Sequence, residues 1–302
     1  MPILRINAIG SVPELAGTSG TGITLAKALL ENAGRRPVLI MVHGYRYSPK
    51  HVHLDANNFI LQDGDKEGWP HQMGYGTDTA DQGICIAFGW DAGGTIWRAA
   101  HEAGRAGLAL AVLIRHLAHL GAGPVNIIAH SLGARVALAC LHHLAPGMIN
   151  RMVMMTGAEL RSTAECALQT PAGQSTQVLN VISRENDVFD CLYEWLLVPL
   201  RFGARTLGAG LDLPHCLTAQ IDNPHHLAGL RSLGFPTADG TRRMCHWSTY
   251  LRPGLFALYG AFLGPDATIS FVDLRAALPN TLTRRWSRLL AAPTSQSPFA
   301  AQ

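Results

Sequence analysis

Ser131 lies in the segment Ala129-His130-Ser131-Leu132-Gly133, directly after the apolar run VNIIAH and before the Ala- and Leu-rich run ARVALACL. A serine between a buried strand and a helix is lifted clear of the sheet on a tight turn, where its hydroxyl can attack an acyl carbonyl. Residues two before and two after it must be small, because both press on neighbouring backbone. Gly133 meets that demand fully, and Ala129 meets it at the cost of one methyl group. The helix that follows would aim its N-terminal amides and partial positive charge at developing negative charge. The competing reading is a serine that merely caps the helix. A second turn, VLIMVHGYRYSP, places a His-Gly pair after another apolar run. There the amide of Tyr45 would join that of Leu132 as an oxyanion hole, with His43 structural in the turn.

Such a serine needs a histidine to take its proton, and that imidazole needs a carboxylate to fix its tautomer. In QVLNVISRENDVFD, Asp187 comes shortly after the apolar run that ends at Ser183, and is the leading candidate for the acid. Glu159, Asp190 and Asp212 are the alternatives, and a solvated turn is the ordinary reading of Asn186-Asp187.

These groups need a scaffold that brings distant segments together. The runs VLIMVHG, ICIAFGW, VNIIAHS, MVMMTGAE and QVLNVIS are apolar without alternation, as strands covered on both faces are. CLTAQID is a possible last strand. Between the runs, Thr95 to Leu120 and Leu132 to Leu144 carry Ala and Leu at helical spacing. Strand and helix in alternation predict an α/β fold with a mostly parallel sheet. Residues 47–81, rich in Gly, Asp, Asn and His, are expected to form a long loop. Residues 190–214, apolar and aromatic, are expected to form a small lid or cap. One domain over residues 1–290 and a frayed tail over 291–302 complete the expected organisation.

VHGY after one strand, AFGW ending the next and IAHSLG at the elbow together resemble the α/β-hydrolase superfamily, in an esterase- or lipase-like bacterial branch. The likeness spans residues 38 to 250. It implies an eight-stranded, mostly parallel sheet and the triad order serine, acid, histidine. It also implies a carboxylate in the S-R-x-x-D-x-V setting of Asp187. That order narrows fourteen histidines to His215, His225, His226 and His246. The likeness places a histidine where His246 stands, ahead of the helical run LFALYGAFL, while His225-His226 follow the possible last strand. His130, Trp90, Trp195 and Trp247 are expected around the substrate, although the tryptophans, like Phe88, could equally belong to the core.

The expected reaction is hydrolysis of a carboxylic ester with an apolar acyl group. An acyltransferase, a thioesterase or a non-catalytic binding protein on the same fold are the alternatives. No cofactor is required. His51-Val52-His53-Leu54-Asp55 has the look of a metal cluster but no further ligands nearby, and it is read as a surface loop. GTSGTG at residues 17–22 lacks the strand and Lys-Ser/Thr ending of a phosphate-cradling loop. A net charge of +3 over 302 residues is too small to imply a nucleic-acid partner or an anionic membrane surface. The six cysteines form no C-x-x-C pair, and MPILRINAIGSVPEL lacks the pattern of a secretion signal. No run is long enough for stable membrane insertion. A reduced, cytoplasmic protein is the expectation.

Overall fold

The computed structural model describes residues 3–17, 25, 27–29, 37–62, 67–75, 83–123, 125–199, 203–240, 242–264 and 267–290. The expected tail at 291–302, residues 200–202 of the expected lid, parts of the 47–81 loop and most of GTSGTG lie outside them.

Eight strands form one sheet: β1 (Ile3–Ile9), β2 (Val12–Leu15), β3 (Val38–Val42), β4 (Ile84–Gly89), β5 (Val125–His130), β6 (Ile149–Met155), β7 (Gln177–Ile182) and β8 (Cys216–Gln220). Their order is β2-β1-β4-β3-β5-β6-β7-β8. All neighbours pair in parallel except β1 and β2, which are antiparallel. The five apolar runs are β3 to β7, and CLTAQID supplies β8. The N-terminal pair β1–β2 was not among the expected strands. β1 alternates buried and half-buried residues, so it lacks the continuous apolar run that marks the central strands.

Successive strand residues point to opposite faces, and both faces are covered. Ile40, Val42, Ile127 and Ala129 pack under the helices Ile96–His119 and Gly133–Leu141. Leu39, Met41, Ile128, Val153 and Val181 pack under Leu255–Leu263 and Phe271–Ala277. Every residue of β3, β4 and β5 is buried, and this is why those runs are apolar throughout. The long helix starts one residue inside its expected bound, because the Thr95 side chain caps it by accepting the amide of Arg98. The 47–81 segment is less loop-like than expected. It holds short turns at Val52–Leu54 and Ala56–Asn58 and a helix at Trp69–Gln72, and Trp69, Met73 and Tyr75 are buried in the second core. The 190–214 region begins inside the helix Asp187–Leu197, which walls the cavity described next.

Candidate active site

Ser131 follows the last residue of β5 with φ +52°, the left-handed region that non-glycine residues rarely occupy. Three backbone bonds hold it there. Its amide donates to Met155 O at 3.0 Å, and its carbonyl accepts from Ala134 N at 3.0 Å and Ala158 N at 2.9 Å. A side chain at 133 would place its Cβ 2.6 Å from the carbonyl oxygens of both Val42 and His43, so only glycine fits. Gly44 is as constrained, since a Cβ there would lie 2.8 Å from that of Ser131. The small-residue rule read from the sequence therefore extends to the facing turn. That turn is anchored beyond Gly44 by Arg46 N to Ala92 O at 3.0 Å and by the Tyr45 hydroxyl to Gly94 O at 2.5 Å.

His246 lies just before Trp247, the N-cap of the short helix Ser248–Leu251, and its Nε2 is 2.8 Å from Ser131 Oγ. Its loop is pinned from three sides. The His246 carbonyl accepts from His130 Nε2 and from Thr156 Oγ1, both at 3.2 Å, and Cys245 N donates to Glu185 O at 2.8 Å. The Phe189 ring packs 4.9 Å from the imidazole. Burial pulls the His246 pKa down from its ordinary 6.5 to about 4, so the ring is neutral at pH 7 and able to accept a proton.

The acid assignment requires a correction. The Asp187 carboxylate is occupied away from His246: Oδ1 accepts from Arg184 Nη1 at 3.0 Å and Oδ2 from Trp286 N at 2.6 Å. The group 2.6 Å from His246 Nδ1 is instead Oδ1 of Asn186, one residue earlier. The chain beyond β7 makes a 3-10 turn at Arg184–Asn186, and at that turn Asn186 rather than Asp187 faces the imidazole. Asp190, four residues further along on the helix Asp187–Leu197, lines the same cavity as Asn186. Asp190 is 4% exposed, and burial pushes its carboxyl up to about 7 against the polar neighbours Thr206 and Asn186 and the Arg285 charge, with Asp187 adding to the rise. The structure thus places Ser131, His246 and Asn186 in one hydrogen-bonded line.

The line ends in a cavity of about 700 Å³. Tyr45, Leu132, His130 and Trp247 line it. Trp90 does not. It is fully buried, stacked on His43 at 5.6 Å, and donates to that residue's Nε2 and carbonyl oxygen. Phe88 is likewise a core residue. Trp195 also lies off the cavity, 72% exposed on the outer side of its helix. The apolar walls come instead from Ile96, Trp97, Phe189, Leu192, Leu196 and Tyr250. Helical spacing in DVFDCLYEWLL could have separated the inward Phe189, Leu192 and Leu196 from Trp195. Trp97 is fixed by a 2.8 Å bond from its Nε1 to Leu196 O.

Of the other candidates, Glu159 and His226 have structural partners. Glu159 bonds Arg135 at 2.7 Å and the amide of Leu160. His226 accepts from Gln220 N and donates to Thr281 O. His51 and His53 are exposed, and Asp55 caps the turn after them through the amide of Asn57. Among the described residues no group of three or more His, Cys, Asp or Glu could hold a metal ion, and no helix is long and apolar enough to cross a membrane. The six cysteines are free thiols.

An eight-stranded, mostly parallel sheet with helices on both faces, and a left-handed serine between its β5 strand and the next helix, define an α/β-hydrolase fold. Residues 94–205, from just before the long helix past the elbow and the Asp187–Leu197 helix and beyond, match a family described as "Protein of unknown function (DUF726)". Comparison with curated proteins finds no match. Among solved structures, the chain is similar to Bacillus licheniformis lipase BlEst2 in its mature form (13% identity, TM-score 0.38, covering 62% of this chain and 83% of that one). It is similar to the propeptide form of the same lipase (14%, TM-score 0.45, 84% of this chain), of which it spans only 53%. It is also similar to Aspergillus fumigatus lipase B (13%, TM-score 0.42, 93% of this chain and 68% of that one).

Proposed function

We propose that this chain is a serine hydrolase that cleaves carboxylic esters with apolar acyl groups. The observation that carries the reading is the 2.8 Å approach of His246 Nε2 to the hydroxyl of Ser131, held at positive φ on the cavity wall. Ser131 Oγ attacks the acyl carbonyl while His246 Nε2 takes its proton. His246 then returns that proton to the leaving alcohol, and water resolves the acyl-enzyme by the same steps. Asn186 Oδ1, accepting from Nδ1–H, keeps the lone pair of Nε2 aimed at the serine. The amides of Tyr45 and Leu132 are the proposed oxyanion donors, each worth ~3 kcal/mol in the transition state. Phe189, Leu192 and Leu196 give the acyl chain an apolar wall. The chemistry calls on no cofactor.

A fluorophosphonate probe and a series of p-nitrophenyl esters of increasing acyl length test this together. The expected result is a single adduct on Ser131 and turnover that rises with acyl length. An unlabelled Ser131, or full turnover by Ser131→Ala, overturns it.

A further inference from the structure

We propose that Arg46 is a specificity residue that receives an anionic group, carboxylate or phosphate, on the alcohol side of the ester. The inference deepens the serine-hydrolase reading and rests on it.

The cavity at Ser131 takes its apolar wall from one element and its positive charge from another. Phe189, Leu192 and Leu196 belong to the helix Asp187–Leu197, whereas Arg46 belongs to the turn beyond β3. That turn presses on the nucleophile, since a Cβ at Gly44 would lie 2.8 Å from that of Ser131. Among the described residues lining the cavity, Arg46 is the one lysine or arginine. The other groups there that could carry charge are subdued by burial. It lowers His130 and His246, so both rings are neutral at pH 7, and it raises the Asp190 carboxyl to about 7.

Arg46 also lacks an internal task. Arg98, Arg135 and Arg285 are committed to Asp91, Glu159 and Glu194 at 2.6, 2.7 and 2.8 Å. Arg46 is exposed, and its guanidinium has no hydrogen-bond or ion-pair partner among the described residues. Its backbone stands at φ +78°, which glycine adopts freely and an arginine only under strain. The shape is clamped by Arg46 N to Ala92 O at 3.0 Å and Ala92 N to Tyr47 O at 2.9 Å. Glycine would serve that shape better, so the guanidinium itself needs a reason. The surrounding rim supplies one. Residues 44–50 and 91–98 hold Arg46, Lys50 and Arg98 against a single carboxylate, Asp91, which Lys50 and Arg98 share. Such an excess attracts anions, and a planar guanidinium grips carboxylate or phosphate through two parallel N–H···O bonds. With the acyl chain along the helix wall, the alcohol is the part of the ester left for the turn.

Three octanoyl esters that differ in the alcohol test this: glycolate bears a carboxylate, glycerol 3-phosphate a phosphate, and glycerol no charge. Wild-type kcat/KM is expected to be about tenfold or more higher for an anionic ester than for the glycerol ester. Which anionic ester gains distinguishes carboxylate from phosphate. Arg46→Gln should remove the preference, mainly through KM, while costing the glycerol ester less than about threefold. Arg46→Lys should keep part of it. Should Arg46→Gln fail to fold, Arg46→Gly, which relieves the positive φ, carries the same comparison. No preference in the wild type, or equal losses for charged and neutral esters, overturns the assignment. Calorimetric binding of the three esters to Ser131→Ala, with and without Arg46→Gln, asks the question without turnover. Tighter binding of an anionic ester that depends on Arg46 supports the assignment, and equal binding overturns it. Missing turnover with missing fluorophosphonate labelling fells the hydrolase reading, whereas labelling with equal use of all three esters fells the Arg46 assignment alone.

Discussion

His43 and His246 lie near the same end of the sheet, both largely buried, and burial lowers both imidazoles to a pKa of about 4. Each has a carbonyl oxygen of an amide at Nδ1: the backbone of Gly44 at 2.9 Å for His43, the side chain of Asn186 at 2.6 Å for His246. What differs is the neighbour of Nε2. For His43 it is the backbone amide of Trp90, a donor that ties β3 to the end of β4. For His246 it is a hydroxyl on the wall of a cavity. One device, an amide carbonyl fixing the Nδ1–H tautomer, serves a structural joint in one place and a candidate general base in the other. The carbonyl of Gly44 is part of the chain and cannot turn, whereas that of Asn186 can.

The sharpest way to break this comparison is to remove the reacting pair. Ser131→Ala and His246→Gln are each expected to lower ester turnover by roughly 10⁴-fold or more, with an unchanged circular dichroism spectrum. His43→Gln should retain fluorophosphonate labelling. If it silenced Ser131 as fully while remaining folded, the division of roles would be lost. Next in size is the partner of Nδ1. Asn186→Ala should cost about 10²-fold in kcat by freeing the ring, while Asp187→Asn should cost less than about tenfold and act mainly through stability. Steady-state kinetics and thermal melts on the two variants check this, and the reverse ranking would restore Asp187 as the acid.

A smaller effect distinguishes the structural histidine. His43→Phe leaves the amide of Trp90 without its acceptor and should destabilise the fold by about 1–3 kcal/mol in urea unfolding. The smallest is a matter of pH. A base that must be neutral works above its pKa and fails below it, so kcat/KM should fall on the acid side with a midpoint near 4. Asn186→Asp puts a carboxylate beside the ring, favours the imidazolium, and should move the midpoint up by at least one unit toward 6.5. A midpoint that stays put would mean that position 186 does not face the imidazole in solution.

How far the sequence reaches depends on the kind of constraint. Buried parallel strands must be apolar on both faces, so β3 to β7 announce themselves as runs, whereas the half-exposed β1 does not. The elbow is legible because Gly133 and the small Ala129 answer a steric demand set by residues two apart. Trp90 and Trp195 resist such reading, because an aromatic side chain suits a core, a surface and a cavity wall alike.

The position of Ser131 and the sheet that carries it were determined locally, by run length and residue size, and the region of His246 followed from the triad order that the family resemblance implies. Which side chain beyond β7 meets His246 was decided only by tertiary structure. Asn186 and Asp187 are adjacent, and a 3-10 turn, an Arg184 that claims Asp187 and a Cys245–Glu185 backbone bond select between them. Such choices hinge on angles between segments about sixty residues apart, which no spacing along the chain encodes.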